Sequence, residues 1–477
     1  MDLLLIIFRD YLVFINIFLA GVIIFFERRR PIYTLFWIML LLLTSYFGFF
    51  MYLFFGLKFK KRNSLKKYFV QKKKRNQGQF TWETFNYLKR WKELIYYLKN
   101  VTHGEGSYEN KVEFFHDGKV FFNSLIDELK KAKEEIYMEY YIFNDDQLGS
   151  EIYDLLLEKK KENVTIKIII DGAGTRGVSK KRIKELRKNG IELEIFFPSY
   201  FPFLKIGNLR ANYRDHRKIT LIDRKICYTG GFNIGDEYVG KGKLGYWRDT
   251  GIKLMGHGVE EYYREFLMSW NFLMKNKKKR ITGEVEFNHD FQEIKTALPL
   301  QVVSSGPNYD YRNIRDTMLK MIMEAKKYIY IQTPYFVPDD ASLEALKVAI
   351  LSGVDVKIMI PHIPDHMFVY WANQSFYGEI IDLGAKIYKY QNGFLHSKVV
   401  IVDDEIATLG TANFDYRSFY QNFEINMVIY GEKVVELRDI YLNDIDKSIM
   451  VTKIAFSKRK TIEKIKESIS RLVAPIL

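Results

Sequence analysis

Two histidines stand in matching surroundings, 180 positions apart. His216-Arg217-Lys218 is followed by four residues, Asp223, six more residues and Gly230-Gly231-Phe232-Asn233. His396-Ser397-Lys398 is followed by four residues, Asp403, six more and Gly410-Thr411-Ala412-Asn413. A single copy would carry little weight, because its middle reads as an ordinary strand. Two copies at one spacing carry far more. In an H-x-K triplet on a strand, alternation turns His and Lys to the same face. Imidazole, with an ordinary pKa of about 6.5, is a nucleophile near neutral pH. Lysine brings charge to a non-bridging phosphate oxygen, and the Asn beyond the glycine turn adds an amide donor. In-line displacement at a phosphodiester needs an attacking group and a leaving-group acid on opposite sides of phosphorus. One HxK cannot be both. Two copies facing each other about an approximate two-fold axis can divide the roles.

The rest of the chain supplies a scaffold for such a pair by repeating itself. LIDELKKAKEEIYMEYYIF (125–143) and MLKMIMEAKKYIYIQTPYF (318–336) share a helix pattern, an Ala position and a following strand. VTIKIIID (164–171) matches VDVKIMIP (354–361), and GIELEIF (190–196) matches GAKIYKY (384–390). Three segments in the same order predict a duplicated domain. Each half alternates helix-period segments with short β-branched runs, the pattern of an α/β fold whose mixed sheet is flanked by helices. The halves are expected at 110–295 and 296–477.

Composition narrows the setting. With 30 Gly and 10 Pro in 477 residues, collagen-like, mucin-like and prion-like classes are excluded. The single cysteine, Cys227, excludes an internal disulfide framework and is expected in the core. Net charge is +15, and ten Lys or Arg without one acid lie in residues 58–75. Just before them, residues 32–57 run for 26 positions without a charge, and residues 11–26 for 16 more. About 20 apolar residues suffice to cross a bilayer as a helix. Residues 1–57 therefore read as a transmembrane helical hairpin. The basic run would lie against anionic lipid headgroups, and the Lys/Arg excess places the large soluble part on the cytoplasmic face. Within 58–109, Phe85, Leu88, Trp91, Ile95 and Leu98 recur at helical spacing, as do Ile462, Ile465, Ile469 and Leu472 near the other end. Both segments are expected to pack an apolar face on the soluble domain, with an in-plane helix at the membrane interface as the alternative.

The paired HxK-x4-D motifs resemble those of the phospholipase D superfamily, over roughly residues 110–477. The N-terminal hairpin with ERRRP, GYWRDT (245–250), QTPYFVPD (332–339) and the terminal RLVAPIL (471–477) are similar to the bacterial cardiolipin synthases, a likeness over nearly the whole chain. That resemblance implies transfer of a phosphatidyl group between two phosphatidylglycerols at the bacterial plasma membrane, giving cardiolipin and glycerol. It implies that His216 and His396 are the catalytic histidines, with Lys218, Lys398, Asn233 and Asn413 around the phosphate. Asp223 and Asp403 complete the catalytic motif, although in the family they mainly support the structure. Relatives also carry a carboxylate some 25 to 33 positions after each His that orients its ring, and Asp249 and Glu424 fall there. Gly231 stands where many relatives have a serine.

No cofactor is implied. His362, Asp365 and His366 cluster, but one short Pro-containing loop is poor evidence for a metal, and a share in shaping the substrate pocket is expected instead. A phospholipase D hydrolase, a nuclease using the basic run on a phosphate backbone, and an inactive membrane scaffold remain as alternatives. No nucleic acid is expected, because a membrane hairpin does nothing for a nuclease, and a scaffold needs neither motif.

Overall fold

The computed structural model describes residues 2–26, 31–52, 86–102, 106–197, 213–274, 280, 281, 287 and 297–474. The basic run 58–75 and Phe85 lie outside them. The chain divides into two compact units, Met1–Asn63 with Ser199–Asn212, and Ser64–Pro198 with Tyr213–Leu477.

In the smaller unit the first apolar stretch forms the helix Asp2–Phe25. The second, expected as one helix, is two: Pro31–Leu43 and Ser45–Met51. The break has a local cause. Thr44 Oγ1 bonds the Leu40 carbonyl at 2.6 Å, and Ser45 takes a left-handed φ of 28°. Carbonyls freed at the break need donors, and the buried Asn16 amide supplies them, reaching Leu41 O at 3.0 Å and Ser45 O at 3.1 Å. At about 1.5 Å per residue, the 13-residue helix is roughly 20 Å long, short of the hydrocarbon core. Among the described residues no helix is long and apolar enough to cross a membrane.

In the larger unit the first repeat contributes β1 (Ser107–Phe115), β2 (Glu135–Tyr140), β3 (Thr165–Asp171), β4 (Glu192–Phe196), β5 (Lys218–Ile222), β6 (Ile226–Gly230), β7 (Trp247–Arg248) and β8 (Gly251–Gly256). The second contributes β9 (Ala297–Ser305), β10 (Tyr328–Gln332), β11 (Phe336–Val337), β12 (Asp355–Pro361), β13 (Lys386–Tyr390), β14 (Phe394–Leu395), β15 (Val399–Val402), β16 (Ile406–Gly410), β17 (Phe414–Asp415), β18 (Glu424–Tyr430) and β19 (Ser448–Val451). Fifteen strands join in one mixed sheet, ordered β19-β13-β12-β10-β15-β16-β18-β9-β1-β8-β6-β5-β2-β3-β4. Read outward from the antiparallel β9–β1 pair, the two halves have the same strand order, and β19 is an addition at one edge. The duplication legible in the sequence is thus a pseudo-two-fold sheet continuous through its centre.

β5 and β15 are buried along their whole length, because helices cover both faces of the sheet. The crossover helices Gln147–Lys161 and Asp340–Leu351 open alike, with Asp146 and Asp339 accepting from the backbone N–H groups of Gly149 and Ser342. Leu88, Trp91, Ile95 and Leu98 are buried in the core of the second repeat, as their spacing predicted, and Leu94 is buried with them. The C-terminal expectation fails. In the helix Thr461–Val473, Ile462, Ile465, Ile469 and Leu472 are all exposed, and Glu467 and Ser470 are buried instead.

The motif aspartates also need correction as catalytic residues. Each lies seven positions beyond its histidine, roughly 20 Å along a strand at about 3.3 Å per residue. Asp223 accepts the N–H groups of Lys133, Glu134 and Glu135 at 2.9, 2.7 and 2.9 Å. Asp403 accepts those of Lys326, Lys327 and Tyr328 at 2.8, 2.8 and 2.7 Å, and pairs with Arg90 at 2.6 Å. Both tie the entry of a central strand, β2 or β10, to the turn after its neighbour. Asp403→Ala strands three backbone donors and takes away one of the two carboxylates that Arg90 pairs with, a loss of about 2–5 kcal/mol. Thermal unfolding is expected to show a clearly lowered midpoint, while the fraction that remains folded keeps most of its turnover. An unchanged midpoint with lost turnover would return Asp403 to the catalytic group.

Candidate active site

Each motif histidine hangs on the backbone of the opposite repeat. β14 pairs in parallel with β7, and the His396 N–H donates to Arg248 O at 2.8 Å. Asp215 and Phe423 form the matching bridge, with the His216 N–H donating to Phe423 O at 2.9 Å. The residue after each acceptor is a carboxylate. The imidazoles therefore meet partners from the other half: His216 Nδ1 lies 3.0 Å from both Glu424 oxygens, and His396 Nδ1 lies 2.6 Å from Asp249 Oδ2. The family resemblance implied that each acid serves the histidine preceding it. The pairing is crossed. With Nδ1–H donating to a carboxylate, Nε2 is left with its lone pair for chemistry.

The lysines follow the alternation expected of them. Lys218 Nζ donates to its own histidine's carbonyl at 2.6 Å; Lys398 Nζ does the same and also lies 2.8 Å from His396 Nδ1. All four groups are buried, and their charges act on one another. Burial pushes Lys218 down to about 7 and Lys398 down to about 8. Burial, with Lys398 alongside, pushes His396 down to about 3; burial also lowers His216 against the pull of Glu424. Burial opposes ionisation of the acids too, yet Lys398 and His396 hold Asp249 below the usual carboxylate range, as His216 and Lys218 hold Glu424. Near neutral pH these groups rest as neutral imidazoles, ionised carboxylates and lysines poised to gain or lose charge. An arriving phosphodiester anion favours the charged lysines.

Around this centre, Tyr141 packs its ring 5.1 Å from that of His216, and Trp247 and Tyr238 lie 5.3 and 5.8 Å from that of His396. Asn233 is largely committed, its carbonyl accepting from Ile142 N–H at 3.2 Å and its amide donating to Tyr238 at 2.6 Å. Asn413 is buried with Oδ1 unpartnered among the described residues. Asp365 accepts from the Tyr335 hydroxyl, whereas His366 is exposed. The Gly231 departure has a steric reason. A Cβ there would stand 1.9 Å from Asp249 Oδ1. At the matching position Thr411 donates to Glu424 Oε2 at 2.6 Å, so that carboxylate takes a hydroxyl where Asp249 fills the space itself.

Known proteins bear on this geometry. A family model described as cardiolipin synthase, PLD-like domain, matches residues 125–243 and 318–445, and one described as phospholipase D-nuclease N-terminal matches 14–56. The cardiolipin synthase of Oceanobacillus iheyensis is 42% identical, over 97% of each chain. The chain belongs to the cardiolipin synthase family. Other similar members are the cardiolipin synthase of Listeria welshimeri, 42% identical over 98% of each chain, and the major cardiolipin synthase of Bacillus subtilis, 40% identical over 97% of each. In fold, the chain resembles the phosphatidylserine synthase of Haemophilus influenzae, with a TM-score of 0.61 at 14% identity, covering 80% of this chain and 98% of that one.

Beyond the motifs this cardiolipin synthase family member uses residues that spacing did not reveal. Arg248, next to Asp249, lies 2.9 Å from Asp444, which also accepts from Gln332 at 2.8 Å. Arg248 in turn donates to Asp249 O and to Thr250 Oγ1. The only available signal was a buried-looking Arg inside GYWRDT. Two outcomes are expected. Asp249→Asn removes the acceptor that fixes the His396 tautomer, so kcat falls by about 10²–10⁴ with little change in KM. A loss confined to KM would contradict the crossed pairing. Substrate binding weakens as pH rises through about 7 and 8, because Lys218 and then Lys398 lose charge. A KM that stays flat from neutral pH to well above 8 would contradict it.

Proposed function

We propose that this chain makes cardiolipin and glycerol from two molecules of phosphatidylglycerol through a phosphatidyl-histidine intermediate. The observation that carries the reading is the pair of buried imidazoles, each with Nδ1 held by a carboxylate of the opposite repeat. His216 Nε2 attacks phosphorus; a P–N bond forms as the P–O bond to the headgroup glycerol breaks. His396 gives its proton to the departing oxygen. It then takes a proton from the terminal hydroxyl of the second phosphatidylglycerol, whose oxygen attacks phosphorus and returns the electron pair to His216. The family resemblance favours the N-terminal histidine as the attacking group. His396 rests neutral, and the anionic phosphodiester raises its proton affinity on arrival. Lys218 and Lys398 stabilise charge on the non-bridging oxygens, helped by Asn233 and Asn413.

The setting belongs to the same reading. Residues 1–57 form a hairpin embedded in the membrane, with the catalytic halves on the cytoplasmic side and anionic lipid beside the basic run. Phe14, Phe18 and Phe25 turn outward on the first helix, and the Asn16 amide N–H groups are spent on Leu41 O and Ser45 O, both of which suit a lipid surround. A C-terminal reporter active only outside the cell would overturn this orientation.

Purified chain given labelled phosphatidylglycerol is expected to yield cardiolipin and glycerol, with activity abolished in folded His216→Ala and His396→Ala. Peptide mapping after trapping is expected to find the label on His216. Phosphatidic acid as the sole product would make the chain a hydrolase, and a label only on the His396 peptide would exchange the two roles.

A further inference from the structure

The helix Thr461–Val473 is docked opposite to a globular norm. Its apolar stripe, Ile462, Ile465, Ile469 and Leu472, is exposed by 54, 48, 54 and 82%, and Glu467 and Ser470, on the other side, are exposed by only 5 and 0%. The contacts that seat it are polar or charged. Glu467 pairs with Arg459 at 2.5 Å, Arg471 pairs with Glu379 and donates to Ser375 O at 3.0 Å, and Lys466 lies over the Trp371 ring at 4.8 Å. A helix free to choose would turn its isoleucines inward. Here ion pairs hold them out.

Two further observations say what covers the stripe. Between Lys453 and Arg471 there are seven Lys or Arg against two Glu, so the apolar stripe is bordered by positive charge. The helix that carries the stripe also packs beside one that begins near the catalytic site. Lys466 meets Trp371 and Arg471 meets Ser375 and Glu379, so the helix runs in the same direction as its neighbour Met367–Ile381. That neighbour starts two residues after Asp365, which accepts from the Tyr335 hydroxyl, and the residue after that tyrosine, Phe336, pairs with Phe414 beside Asn413. At its start Met367 and Phe368 are exposed, as is Ile363 before it. Exposed apolar residues thus stand at the start of that neighbour as well as along the lysine-rich C-terminal helix. This is the composition of a helix lying in the plane of an anionic bilayer.

We infer that Thr461–Val473, with the exposed residues Ile363, Met367 and Phe368, docks flat on an anionic lipid surface and holds the catalytic site against the bilayer. The inference rests on the reading that the chain works on membrane lipids. It adds a second lipid contact, far in sequence from the N-terminal hairpin.

The full chain in phosphatidylcholine–phosphatidylserine vesicles tests it, since neither lipid is the proposed substrate. An environment-sensitive fluorophore is placed on Ile469→Cys or Leu472→Cys, on Lys464→Cys away from the stripe, and on Phe18→Cys in the first helix; the unsubstituted chain, with Cys227 buried, gives the background. Labels at 469 and 472 are expected to shift to the blue and to be quenched by nitroxide-bearing lipid at least threefold more than at 464. Aqueous signals at 469 and 472 with a quenched label at 18 overturn the docking alone. Aqueous signals at all three regions overturn the membrane reading and the docking with it. Thiol cross-linking between two copies at 469, without lipid quenching, assigns the stripe to a second copy and overturns the proposal.

Discussion

The structure depends on two hydrogen bonds, each joining an imidazole of one repeat to a carboxylate of the other. His216 with Glu424 and His396 with Asp249 are local to no segment; they exist only once the sheet has closed through β1 and β9. Neither half can set its own histidine. A buried imidazole without a fixed tautomer is a poor nucleophile and a poor acid, so duplication is a condition of the chemistry. The backbone enforces the same exchange, since each histidine's N–H donates to the residue just before the carboxylate that holds its ring.

Bringing four charged groups and two imidazoles into one buried site is costly unless they are balanced. Here two carboxylates face two lysines, and the imidazoles remain neutral. The lysines keep part of their attraction for protons unfilled, and the phosphodiester anion completes the balance. Charge is stabilised by groups already in place, so little reorganisation is needed as charge moves between phosphate oxygens. The motif aspartates serve a different purpose at the other end of the same strands, joining strand entries so that β5 and β15 hold their registers.

Much of this was legible in the sequence. The alternation in the HxK triplets was legible because it is local, and the duplicated mixed sheet follows from apolar runs repeated in the same order, whereas its joining into one fifteen-stranded sheet through β1 and β9 was not foreseen. Trp91 and Leu98 were found by helical spacing. What spacing could not supply was partnership. Glu424 follows His396 by 28 positions and yet holds His216, because the bridge at Phe423 comes from the fold's two-fold axis. The stripe from Ile462 to Leu472 was visible, but its direction is decided by Arg459, Glu379 and Trp371, which approach from elsewhere. The break at Thr44–Ser45 lies within an unbroken apolar run, and only Asn16, far upstream, shows how its carbonyls are satisfied.

A mechanism in which one histidine carries the phosphatidyl group passes through two in-line displacements at phosphorus. Each inverts configuration, so the sum is retention. Phosphatidylglycerol made chiral at phosphorus with oxygen isotopes reports this directly when the cardiolipin product is analysed. Retention is the predicted result. Inversion would mean direct transfer between the two lipids, with no phosphatidyl-histidine, and would contradict the division of roles between His216 and His396.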